Sequence, residues 1–168
     1  FKMLAKYKRH NNSLYNKLVE LSRNIFFYKD LRLKDNFETR IILIFLHLSI
    51  ILILTKEKNK DNFTQDIFDN IFLNIEYHIR ELGFGDVVVN KKMKTLNKIF
   101  YNIIIKLNEE KKPSFKASKT LLNEYFPIDN KDQNEILDKL EVYLKNFYNF
   151  CFELTSDNML KGEINFKL

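Results

Sequence analysis

An all-α fold is what this sequence predicts, and three observations carry the prediction. Apolar residues recur at alternating steps of three and four, the period of one helix face rather than of a strand. Turn chemistry is scarce, with three glycines and two prolines in 168 residues, which disfavours a β-fold and its many tight turns. Residues suited to helix caps stand just ahead of the apolar stripes: Asn12 or Ser13, Asp35, Asn62, Asp86 and Ser118. A chain of this length most simply forms one domain and buries roughly two thirds of its unfolded surface. The expectation is a single-domain bundle of about four long helices plus short ones, spanning 13–168, behind a basic arm at 1–12.

The arm carries Lys2, Lys6, Lys8 and Arg9 and lacks an apolar core long enough for a secretory signal. The spacing then predicts a helix from about Ser13 to Arg23, with Leu14, Leu18, Leu21 and Ile25 continuing its stripe. Phe26-Phe27-Tyr28 reads as a single turn that wedges into the core. Asp35 and Glu38 have the spacing of a capping box. They open Ile41 to Leu54, which is apolar nearly all round. A membrane span needs about twenty such residues. This run is shorter and flanked by Arg40 and Lys56, so a helix buried inside a bundle is the reading. The alternative is a segment that also meets a membrane.

Lys56 to Asp61 reads as a charged loop, and Asn62 with Gln65 as the cap of the next helix. That helix bears Ile67, Phe68, Ile71, Phe72, Ile75, Ile79 and Leu82, and Gly83 follows as a left-handed C-cap. Asp86 is expected to cap a further helix carrying Val89, Met93, Leu96, Phe100, Ile103 and Leu107. Asn108 to Lys116 is a polar connector with Pro113. Ser118 caps a short helix that ends before Pro127. From about Asp132 a last long helix reads Leu137, Leu140, Leu144, Phe147, Cys151 and Leu154, and Thr155 to Leu168 reads as an irregular tail.

The net charge is +6, a mild bias compatible with anionic lipid, RNA or an acidic partner. One cysteine excludes an internal disulfide and fits a reducing compartment. His10, His47 and His78 lack metal-ligand spacing, and His47 and His78 read as hydrogen-bonded core residues. No phosphate loop, no nucleophile elbow and no Cys-His signature is present. The reading is therefore a binding protein with no cofactor, no metal and no DNA partner. Lys91, Lys94 and Lys98 fall opposite the apolar stripe of their helix. They form either a solvated basic face or a surface for ribosomal RNA or anionic head groups. Arg80, Glu81 and Asp86 either fix the corner by ion pairing and capping or dock a partner.

Certain strings stand in a familiar order. Tyr28-Lys29-Asp30 is followed by Asp35, Arg40, His47 and Phe68-Asp69. Then come Arg80-Glu81-Leu82-Gly83-Phe84-Gly85-Asp86, Lys92-Met93-Lys94 and Phe100-Tyr101, and Gly162 to Phe166 close the chain. In this the chain resembles the ubiquinol–cytochrome c chaperone family from about Leu14 to Phe166. One departure is visible: Asn102-Ile103 stands where that pattern has Gly-Arg. The resemblance implies an all-α assembly factor for the cytochrome bc complex (respiratory complex III) that acts on newly made cytochrome b. It further implies a small partner protein and proximity to the ribosome for mitochondrial members. The implied location is the bacterial cytoplasm at the inner-membrane face, or the mitochondrial matrix side. A client groove is expected from Phe26, Phe27, Tyr28, Phe84 and Met93, since aromatics and methionine adapt to varied apolar segments. The second reading is a peripheral adaptor that meets membrane or ribosome through the basic face without handling the client. An enzyme of unrecognised type comes third.

Overall fold

A computed structural model describes residues 12–58, 63–111, 114–127 and 131–168, with the side chains of residues 63 and 64 left aside. The basic arm, His10, Asn62 and Pro113 lie outside the described residues. Seven α-helices follow one another, with no strand among the described residues: α1 (Ser13–Ser22), α2 (Phe37–Lys58), α3 (Phe63–Glu81), α4 (Asp86–Glu110), α5 (Lys119–Tyr125), α6 (Gln133–Phe152) and α7 (Ser156–Leu160). A single π-helical turn, Phe26–Asp30, links α1 to α2.

The all-round apolar run is the axis of the molecule. Every residue from Ile41 to Thr55 is buried, and α2 packs against α1, α3, α4, α6 and α7. A helix apolar on one stripe needs one neighbour; a helix apolar all round needs a full ring of them. Among the described residues α2 is the one helix long and apolar enough to cross a membrane, yet other helices sheath it. The surrounding helices turn their stripes inward. Ile71, Ile75 and Ile79 of α3, Val89, Ile103 and Leu107 of α4, and Leu140, Leu144 and Phe147 of α6 are all buried. Phe45 of α2 stacks on Phe72 and meets Phe100 edge-on at 5.3 Å, which ties three helices together.

Several local expectations are corrected. Ile25 is not on a buried stripe: it lies past the end of α1 at Ser22 and is 68% exposed. The cap of α2 is Asn36, whose Oδ1 accepts from the Thr39 N–H at 2.9 Å, while Asp35 pairs with Arg40 at 2.6 Å. Helix α2 runs on to Lys58, whose ammonium donates to the Phe152 and Leu154 carbonyls at the end of α6. The connector after α4 is not simply polar: Phe115 and Ala117 are buried, and Phe115 stacks on Tyr148 at 4.3 Å. The tail contains α7, capped by Thr155, whose hydroxyl accepts from the Asn158 N–H at 3.1 Å. Beyond it Gly162, at φ +72°, lies against the start of α1. A Cβ there would sit 2.5 Å from the Ser13 carbonyl oxygen, so the close approach requires glycine.

Candidate functional site

The corner between α3 and α4 follows from two glycines and one arginine. Gly83 takes φ +95° just past α3, and its N–H bonds the Arg80 carbonyl at 3.0 Å. This is the left-handed C-cap the sequence predicts. Asp86 is not the cap of α4. Gly85 occupies that position, and Asp86 is the first helical residue. There its carboxylate suits the positive end of the helix and pairs with Arg80, which also reaches Glu76 at 3.4 Å. Arg80 thus clamps the last turn of α3 to the first turn of α4. Its guanidinium is held in the charged form chiefly by the Asp86 hydrogen bond.

The clamp holds a set of apolar side chains in solvent. Leu82 is 53% exposed, Phe84 41%, Val87 82% and Val88 43%. Leu82 was expected to close the α3 stripe. It lies one residue past the helix, where the chain turns toward Gly83 and carries its side chain off the buried face. Val87 and Val88 were not singled out from the sequence. The signal was available: of Val87-Val88-Val89 only Val89 lies on the stripe, so its two neighbours point elsewhere. Phe84 carries the Lys92 ammonium over its ring, 4.8 Å from the centroid, a cation–π contact. Met93 is half-buried and packs on the core, and Glu81 is exposed beside the clamp.

The three residues of the aromatic segment have different surroundings. Phe27 is fully buried, meeting Tyr143 edge-on at 4.8 Å and His47 at 6.1 Å. As a core residue it cannot present itself to a client, which corrects its place among the groove candidates. Phe26 stacks on Tyr143 and lines a shallow depression on α6 with Val142 and Leu168. Tyr28 donates from its hydroxyl to the Ser22 carbonyl at 2.6 Å, and its pKa is raised mainly by burial. Near it a cleft of about 250 Å³ is lined by Arg23, Asp35, Arg40, His78 and Leu82. His78 is stacked flat on Phe37 at 5.8 Å rather than set in the core.

His47 is wholly buried, as expected. Its Nδ1 meets the Leu43 carbonyl at 2.6 Å and its Nε2 meets the Tyr143 hydroxyl at 2.8 Å. The carbonyl can only accept, so Nδ1–H donates to it and Nε2 accepts from Tyr143. Burial lowers the His47 pKa to about 4 and raises that of Tyr143. Burial likewise pushes the Cys151 thiol up to about 12, which makes it a poor nucleophile. These groups are enclosed in packing rather than opened to a substrate. Lys91, Lys94 and Lys98 are exposed. Ile103 is fully buried.

These features define an all-α binding module: a sheathed apolar core helix, polar groups locked in packing, and a clamped corner offering apolar side chains. The chain belongs to the ubiquinol–cytochrome c chaperone family, whose profile it matches over residues 29–166. The fold agrees with the crystal structure of the Cbp3 homolog from Brucella abortus. The TM-score is 0.69 at 21% identity, over 99% of this chain and 96% of that one. A search of the curated proteins finds no match. Family membership makes this a chaperone of complex III assembly and points to an assembly factor that is not an enzyme.

Proposed function

We propose that this chaperone binds newly made cytochrome b and shields an apolar segment of it before complex III is assembled. The observation that supports this most is the corner itself. Leu82, Phe84, Val87 and Val88 stand in water on a turn that Arg80 and Gly83 hold in place. Exposed apolar side chains grouped in this way favour association with another apolar surface. Burying what remains exposed of each removes water from its surface, worth roughly 25 cal/mol per Å² of apolar area. A membrane-protein segment awaiting insertion has the matching need. Under this reading the protein works at the inner-membrane face of a bacterial cytoplasm, or on the matrix side of a mitochondrion.

Photo-crosslinking in cells tests the proposal. A crosslinker at Phe84 or Val88 should capture cytochrome b, and one at Lys145, exposed on α6, should not. Capture from Lys145 with none from the corner would move the client surface elsewhere.

A further inference from the structure

The outward face of α4 carries a straight line of side chains: Val87, Lys91, Lys94, Lys98, Tyr101 and Ile105. Their spacing alternates four and three, so they lie one above another along the helix. All six are exposed. Val87, Tyr101 and Ile105 are among the most exposed apolar side chains described, Ile105 at 54%. The line runs about 27 Å at 1.5 Å per residue. Between Asp86 and Glu109 the sequence has five lysines and no carboxylate. Lys106 is paired with Glu124, and Lys92 lies over Phe84. Among the described residues no ion pair neutralises the three lysines on the line.

We propose that this line of α4 rests on an anionic lipid surface, with the lysines among the head groups and Val87, Tyr101 and Ile105 dipping toward the acyl boundary. Three cations without counter-charges complement anionic lipid. The lysine stems let the ammonium groups reach the head groups while their methylenes lie along apolar surface. Nucleic acid would use the charges but has no place for Val87 or Ile105, which keep their apolar surface in water unless an apolar phase covers it. Tyrosine is suited to the boundary, with an apolar ring and a polar tip. The line shares Val87 with the corner, and its other five side chains lie outside it. The proposal adds a lipid surface to the cytochrome b reading and does not require that reading to hold.

Co-sedimentation of the full chain with vesicles tests it. Vesicles of phosphatidylcholine with about 30% phosphatidylglycerol should bind the protein, and pure phosphatidylcholine should not. Binding should weaken roughly tenfold or more from low to high salt. The triple variant K91E/K94E/K98E should keep its helical circular dichroism and lose about a hundredfold in vesicle affinity. I105D, outside the corner, should weaken binding at low salt as well, where charge alone would hold it. The triple variant should still capture cytochrome b in detergent. Vesicle binding unchanged in the triple variant, or loss of client capture with vesicle binding retained, overturns the proposal. So does binding to single-stranded RNA that is tighter than to vesicles and abolished by the triple variant.

Discussion

At the scale of single residues, His47 makes the core sensitive to acid. In the unfolded chain its imidazole takes up a proton near pH 6.5; in the native state burial defers this to about pH 4. Above pH 6.5 both states are neutral and nothing is lost. Below it the unfolded state gains a proton that the native state refuses, so stability falls by about 1.4 kcal/mol per pH unit. The total is about 3 kcal/mol by pH 4. Urea unfolding between pH 7 and 5 should show this slope, and His47→Gln should flatten it. The glycines give a second residue-scale prediction. At Gly83 an added Cβ meets nothing within 4 Å, so Gly83→Val costs only the strain of positive φ, about 1–3 kcal/mol. At Gly162 the same kind of strain is joined by a clash with the Ser13 backbone. Gly162→Ala should therefore lower the melting temperature more than Gly83→Ala does.

At the scale of elements, α2 is the structural commitment. Ile44 sits at 3% exposure within it. Ile44→Asp would bury an unpaired charge at a cost of several kcal/mol, enough to unfold a typical domain; circular dichroism should show lost helix. A variant that stayed folded would contradict the sheathed position of α2. The long helices were legible because an apolar stripe persists over many turns, and the burial of Val89, Phe100, Ile103 and Leu107 follows directly from that pattern. Helix ends were less legible, because adjacent polar residues compete for each cap. Asn36 rather than Asp35 caps α2, and Gly85 rather than Asp86 precedes α4. Asp86→Ala should therefore cost less than about 1 kcal/mol, the scale of an exposed ion pair rather than of a lost cap. Helix α7 was hidden because five residues give periodicity no room; only Thr155 with Asn158 hinted at it.

At the scale of the whole molecule, the string from Arg80 to Asp86 was legible both as a corner and as a mark of the family. What surrounds it was not. Periodicity says which side of a helix is covered, and it says little where a helix ends and side chains swing outward, as at Leu82 and Val88. Nor could it separate Phe27, which enters the core, from Phe26, which lies beside α6. We propose that this protein serves complex III by handling cytochrome b. The direct measurement is the level of cytochrome b and of assembled complex III in cells lacking the protein. Both should fall while the other respiratory complexes persist, and the wild-type gene should restore them. Normal cytochrome b and complex III in the deletion strain would contradict it.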